Sequence, residues 1–383
     1  MKASSRPGGG ALRPASAILA LAGLLSAGRA LAEAEQNFEE QVNDARAAPT
    51  PAGRSGNWVF VPIPVSNPTV GSGLQAAVLY LHPLRPGQDE AHGTTTGGGA
   101  MATDSGSRLA GAFHDASLAN DRYRLSGFAG VGHFNLSFYG IGDGSALAGK
   151  SVPYEFSGGV GQVRGEARLP GTDHWFAGLT YLFVEASVTF KTSEAIPELP
   201  DLPGTFNLAA LGPQVTYDSR DSNYYPTQGT YSRLGWANYD PRWGSDFSYD
   251  KLDFFYNHYL PVAANTVLAL RTRLQAASED TPFLDLPTLD MRGFARDRYR
   301  DQRTLSVTAE GRHKFRPRWG VVAFLEAGRF AKTFGDLSDA RTITTYGAGL
   351  RWQVTADRPM NIGLDAALST DDRAVFIQVG ERF

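Results

Sequence analysis

Residues 304 to 315, TLSVTAEGRHKF, alternate in strict period two. Leu305, Val307, Ala309, Gly311, His313 and Phe315 fall on one face of an extended chain, with Thr304, Ser306, Thr308, Glu310, Arg312 and Lys314 on the other. The same habit returns in NIGLDAAL, where Ile362, Leu364, Ala366 and Leu368 oppose Asn361, Gly363 and Asp365. It returns again in TTYGAGLRWQV, where Tyr346, Ala348, Leu350, Trp352 and Val354 oppose Arg351 and Gln353. One face suits lipid and the other water. A soluble sandwich would instead hide the apolar face against a second sheet, so the destination of the chain has to decide.

The first residues point to export. Lys2, Arg6 and Arg13 precede the apolar run ASAILALAGLLSAG, and Ala30-Leu31-Ala32 offers the small-x-small pattern cut by a signal peptidase. Residues 1–32 therefore read as a signal peptide. The apolar core is shorter than the roughly 18 residues of a spanning helix, and Arg29 closes its far end. The 383 residues contain no cysteine, which removes disulfide frameworks and thiolate metal sites and fits the periplasm or outer membrane. A net charge of -3 gives no reason to expect nucleic acid. Residues 33–56, polar and then rich in Pro and Gly, are too short for a domain and read as a periplasmic tether. Glu33, Glu35, Glu39 and Glu40 within them form an acidic run without ligand geometry, so neither a metal nor a cofactor is expected.

From Asn57 onward, no stretch is long and apolar enough for a membrane helix, and a membrane form must be a barrel. The pattern predicts an all-β transmembrane antiparallel barrel over 57–383. Its strands are expected near 71–82, 95–104, 107–116, 121–128, 131–140, 152–168, 173–190, 204–219, 228–240, 247–260, 264–276, 303–315, 319–331, 342–354, 359–368 and 374–383. That is sixteen, an even number, as in bacterial single-chain barrels. Residues 57–65, NWVFVPIPV, remain as an extra strand or a segment entering the lumen. Ser105-Gly106, PGTD, PVAAN, RPR and ADRP make tight connections, assigned to the periplasmic side with both barrel termini. The longer connections, among them LRPGQDEAHGTT and the segments after Lys191 and Ala277, are assigned outside.

The sixth outer loop carries LDMRGFARDRYRDQ, residues 289–302. At about 26 residues it exceeds what compact folds leave structureless, and a barrel this wide has room to take it inside. Arg292 would then need acidic partners, Gly293 would permit close backbone approach, and Phe294 would wedge against the wall. Glu310 and Glu326, the latter flanked on its face by Phe324 and Gly328, are the candidates on the next two strands. A solvated loop meeting lipopolysaccharide is the alternative.

RGF in that loop, AEGR in strand twelve, FLEAG in strand thirteen and a terminal Phe383 closing VFIQVGERF together resemble the BamA/TamA-type outer-membrane protein assembly factor superfamily, the bacterial surface antigen barrels. TYDSRDSNYYPTQGTY, residues 216–231, is similar to the family's Asp-x-Arg-Asp and Tyr-Pro-Thr-x-Gly turn, here Asp218, Asp221, Tyr225, Pro226 and Gly229. The likeness is specific over 204–383 and general over 57–203. It implies that Arg292 is latched in the lumen by Glu310 and Glu326. Glu326 stands where the family has Asp, and Met291 where it favours Val. The resemblance also implies that Phe383 is an assembly signal for the barrel assembly machinery, and that the activity is protein translocation or insertion through a seam between the first and last strands. The soluble periplasmic POTRA modules of such members have no counterpart between Ala32 and Asn57, which places the chain in a module-free branch. A gated passive channel is the second reading.

The expected partners are outer-membrane lipids, lipopolysaccharide and an unknown client protein. An enzyme is not expected. Histidines at 82, 92, 114, 133, 174, 258 and 313 are scattered, and no Ser or Asp is arranged with them as a nucleophile system. GGVGQVRG, residues 158–165, lacks the helix of a dinucleotide site and reads as wall glycines.

Overall fold

A computed structural model describes residues 57–83, 94–145, 147, 150–192, 204–222, 225–353 and 361–383. The signal peptide 1–32, the tether 33–56, His92, Val354 and the centres of the 83–94 and ADRP connections lie outside the described residues. Sixteen strands follow one another: β1 (Asn57–Asn67), β2 (Gly71–Leu81), β3 (Thr95–Thr103), β4 (Arg108–Leu118), β5 (Tyr123–Phe138), β6 (Val152–Arg168), β7 (Trp175–Phe190) and β8 (Thr205–Asp218). The second half comprises β9 (Gly229–Tyr239), β10 (Tyr249–Ala263), β11 (Thr266–Ala277), β12 (Arg303–Arg316), β13 (Trp319–Ala331), β14 (Ile343–Gln353), β15 (Asn361–Ser369) and β16 (Arg373–Val379). Each pairs antiparallel with its neighbours in sequence, and β16 returns to β1 to close the barrel.

The count of sixteen agrees with the sequence reading, but through two compensating differences. Residues 121–128 and 131–140 form one strand, β5, running unbroken in register against β6 from Tyr123↔Ala167 to Phe138↔Val152. Gly130, in the expected gap between them, serves packing: a Cβ there would lie 2.8 Å from the Phe128 ring. Residues 57–65, left open as an extra strand or a segment entering the lumen, belong to a strand, β1, despite Pro62 and Pro64. Pairing with β2 takes one edge of β1 along its whole length, from Asn57↔Leu81 to Asn67↔Gly71. The prolines sit where the other edge has no partner.

These shifts reverse the ends assigned to the early connections. β2 ends and β3 begins at the barrel end that carries Asn57, Phe383 and the PGTD turn, as do β4 and β5, whereas Ser105-Gly106 lies at the opposite end with the long loop 278–302. That loop is still the sixth at its end.

The wall is inverted relative to a soluble protein. Its outer face exposes Phe60, Val131, Val163, Leu179, Leu325, Tyr346 and Leu364, each in alternation with an inward neighbour. In β12, Thr304, Ser306, Thr308, Glu310 and Arg312 are buried inside while Val307, Ala309, His313 and Phe315 face out, as the alternation requires. The lumen is not uniformly watery, however. Phe134, Leu136, Tyr154, Phe156, Val184, Phe206 and Leu208 of β5–β8 point inward and form an apolar core with Phe283, Leu284 and Leu286 of the sixth loop. Water is excluded there because the loop covers the wall.

Candidate functional site

The sixth loop folds into the lumen and is held at three places. The first is Arg292, fully buried. Its Nη1 donates to Glu310 Oε2 of β12 at 2.7 Å and to Asp365 Oδ2 of β15 at 3.2 Å. Its Nε donates to Glu326 Oε1 of β13 at 3.1 Å, and its backbone N–H donates to Glu326 Oε2 at 2.6 Å. The guanidinium lies 3.3 Å above the Phe324 ring. Burial works against the charged form, yet Glu326, Glu310 and Asp365 hold the arginine above its ordinary pKa. Two carboxylates were legible in the sequence. The third, Asp365, stood on the polar face of NIGLDAAL and was the signal available for it.

The remaining latch residues each have a geometric reason. Gly293 has φ +95°, and a Cβ there would sit 2.9 Å from Thr345 Cγ2. A Cβ on Gly328 would lie 2.6 Å from Met291 Sδ, so β13 is kept bare where the loop rests on it. Phe294 meets Tyr299 edge-on at 4.7 Å and joins Leu289, Met291, Phe330 and Ile343 in a buried cluster. The arginines that follow do not form a solvated spray: Arg296 and Arg300 are buried, and Arg298 reaches Asp372 at 2.8 Å.

The second anchor is Asp285, buried at the start of the loop, which accepts from Tyr249 Oη at 2.9 Å and from Lys251 Nζ, both of β10. Phe283 beside it packs on Phe138, Tyr154 and Phe190. The third is Asp290, which lies within 3.0 Å of Arg271, Arg273 and Arg382 and 3.7 Å from Arg296. Burial would raise its carboxyl, but Arg271, Arg296, Arg273 and Arg382 hold it well below the usual range.

Arg382 belongs to a C-terminus that departs from expectation. The last strand stops at Val379 rather than Phe383; Gly380, at φ +83°, turns the chain inward. Glu381 then accepts from Arg351 at 3.0 Å and Asn361 at 2.7 Å. Phe383 lies in the lumen beside Tyr259, Val267 and Ala269, its carbonyl bound by Arg312 at 2.6 Å.

At the same end, the turn between β8 and β9 tucks under the lumen. Asp218 pairs with Arg220 at 3.0 Å, and Asp221 accepts from the Thr227 backbone N–H at 2.9 Å and from its hydroxyl. Gly229 takes φ +102°, where a Cβ would lie 2.2 Å from Ser219 O. Pro226 is buried, and the Tyr225 ring lies 4.1 Å from Lys314 Nζ of β12. Burial and nearby Glu381 push the Tyr225 phenol up to about 12.

The seam between β1 and β16 is the weakest line in the wall. The two strands meet in register only at Ser66↔Ile377. Extending that register would set Pro64 opposite Val379 and Pro62 opposite Glu381; the prolines have no N–H to give, and β16 has already turned inward.

A closed sixteen-strand barrel with a lipid-facing belt and a lumen filled by its own loop is an integral outer-membrane protein. The Omp85 superfamily domain matches residues 113–358, and the chain belongs to that superfamily. Its fold is similar to that of CdiB from Escherichia coli, with a TM-score of 0.60 and 14% identity over 91% of this chain and 70% of that one. It is also similar to BamA from Haemophilus ducreyi lacking POTRA domains 1–3, with a TM-score of 0.57 and 15% identity over 86% and 70%. CdiB from Acinetobacter baumannii follows with a TM-score of 0.54 and 11% identity, this chain spanning 60% of its length. No curated protein matches the sequence.

Proposed function

We propose that this barrel inserts or translocates protein segments at the outer membrane by opening the seam between β1 and β16. The observation that carries the reading is the single register pair Ser66↔Ile377, beside strands that elsewhere pair along most of their length. A client strand would leave through the side of the wall. Passive conduction is the poorer reading, because the loop and the apolar core fill one half of the lumen while Tyr225, Pro226 and Phe383 lie across the other. The reading involves no chemical step. It takes an unidentified client, bilayer lipids and lipopolysaccharide as partners, with the assembly machinery needed for the barrel's own biogenesis through Phe383.

The absence of native cysteines makes the test direct. A disulfide between Ser66→Cys and Ile377→Cys should abolish insertion of a reporter barrel into proteoliposomes, and reductant should restore it. In planar bilayers the wild type should give brief, small openings. Full insertion activity in the oxidised double variant, or a steady large conductance, would defeat the reading.

Orientation belongs to the same proposal, with both barrel termini periplasmic. A protease site inserted at Gly106 or in the loop after Lys191 should be cut on intact cells, and one at Gly171 should be spared. The opposite pattern would invert the barrel.

A further inference from the structure

Opening a closed cylinder along one line bends its wall somewhere else. The least resistance is met where the hydrogen-bond ladder is already broken, and strands β8 and β9 have such a break. They pair at Ala210↔Tyr239 and Leu211↔Asn238, then again from Gln214↔Gly235 to Asp218↔Tyr231, in one unchanged register. Gly212 and Pro213 have no partner in between. No bulge accounts for this, since the register does not shift. Pro213 accounts for it: its nitrogen carries no hydrogen, so the rung it should supply to β9 cannot form. On the other side, Leu179↔Pro213 keeps its place in the ladder with β7.

The position of the gap is as informative as its cause. In the closed strand order, β8–β9 lies diametrically opposite the β1–β16 seam. The seam owes its weakness to Pro62 and Pro64, and the line across from it to Pro213. On its lumen side the gap carries the small residues Gly212, Gly235 and Ala237, which border a cavity of about 90 Å³ also lined by Leu182, Gln214, Arg233 and Lys251. A Cβ on Gly212 would collide with the Trp236 carbonyl, so the absence of one is what lets the two backbones close on each other there.

The two half-barrels on either side are filled differently. Toward the sixth-loop end, β5–β8 present an apolar lumen face that gives way to Arg124, Gln162, Arg164 and Glu166 toward the other end, while β9–β16 present Arg273, Glu310, Glu326, Arg351 and Asp365. The loop anchors Asp285, Asp290 and Arg292 form ion pairs with side chains of the second half, whereas the first half is met through the Phe283 ring contacts and two neutral hydrogen bonds, Gly142 N–H to Arg300 O and Arg296 N–H to Thr69 Oγ1, both 3.0 Å. Buried ion pairs hold position more firmly than ring contacts and neutral hydrogen bonds.

We infer that Pro213 makes the β8–β9 line the hinge about which the half-barrels β1–β8 and β9–β16 swing when the seam opens. This rests on the seam reading given above. Pro213 is a positioning residue, remote from any client strand, and acts by leaving out one rung of the ladder.

The test uses the full chain in proteoliposomes. Pro213→Val, which suits the lipid-facing side of a strand and restores the N–H, should slow reporter insertion about fivefold, the effect of one added ladder bond on an opening barrier. Spin labels on Leu74→Cys and Leu364→Cys, both on the lipid face either side of the seam, should show a narrower spread of distances in the Pro213→Val background. A disulfide between Pro213→Cys and Trp236→Cys should block insertion until reduced. If that disulfide leaves insertion intact while the Ser66–Ile377 disulfide abolishes it, the hinge is wrong and the seam stands. If neither disulfide blocks insertion, the seam reading falls and the hinge falls with it. An unchanged distance spread in Pro213→Val also overturns the hinge.

Discussion

Arg292→Ala is expected to free the sixth loop from the lumen. The side chain is fully buried among Glu310, Glu326 and Asp365, and its loss is unequal among them. Glu310 keeps Arg312 at 2.8 Å and Asp365 keeps Arg351, but Glu326 loses its only charged partner and retains just the backbone N–H of residue 292 and the Thr308 hydroxyl at 3.5 Å. An uncompensated buried carboxylate of this kind costs on the order of 3–5 kcal/mol. Residues 289–302 should become accessible to external protease, conductance should rise or become unstable, and the barrel should lose heat-modifiability at a lower temperature. Arg292→Lys should recover only part, since a point charge cannot serve Glu326 and Glu310 together. Exchanging the charges, with Arg292→Glu and Glu326→Arg combined, should restore some of the protection that each single change removes. Wild-type behaviour of Arg292→Ala in all three assays would mean that apolar packing alone holds the loop.

The second large effect is expected at Asp290, a carboxylate that ties the loop to β11 and to the C-terminal tail at once. Asp290→Ala leaves Arg271 and Arg382 without their partner, while Arg273 keeps Asp253 at 2.8 Å. The loss should therefore be about 3 kcal/mol, the lower end of the range for breaking a buried pair. The readout is release of Phe383 by carboxypeptidase, slow in the wild type and fast in the variant. The pH dependence has a definite sign. A carboxyl whose folded pKa is depressed contributes stability above its unfolded value of about 3.9, and loses it only as pH falls through the lower folded value. Because Asp290 is held well below the usual range, the wild-type tail should be equally protected at about pH 5 and about pH 8. Release accelerating already near the ordinary carboxylate range would show that the arginines do not hold the charge.

The legible and illegible parts of this chain differ for physical reasons. Strands with one polar and one apolar face, such as β12, β14 and β15, announce themselves by period two, and the Arg292 latch was legible because its carboxylates stand on that polar face. Toward the sixth loop, β5 faces apolar surroundings on both sides, lipid without and the packed loop within, so its period-two signal fades and it read as two strands, 121–128 and 131–140. Residues 57–65, left open between a strand and a lumen segment, and Gly380, expected within the last strand, were obscured for another reason. Proline in a strand and an inward kink after Val379 both break the local rule, and both do so at the seam. Arg292 reaches Asp365, and Arg382 reaches Asp290, only because the loop is folded into the closed barrel, which no local window contains.

The proline pair in β1 also sets the chemistry of the edge it leaves open. At Pro62 and Pro64 that edge still offers carbonyl oxygens but no amide hydrogens, so along its middle it can accept and cannot give. A strand that docks there finds a ladder with alternate rungs missing. Such an edge resists the indefinite strand-on-strand growth that leads to aggregates, and whatever it does recruit is held loosely enough to be let go.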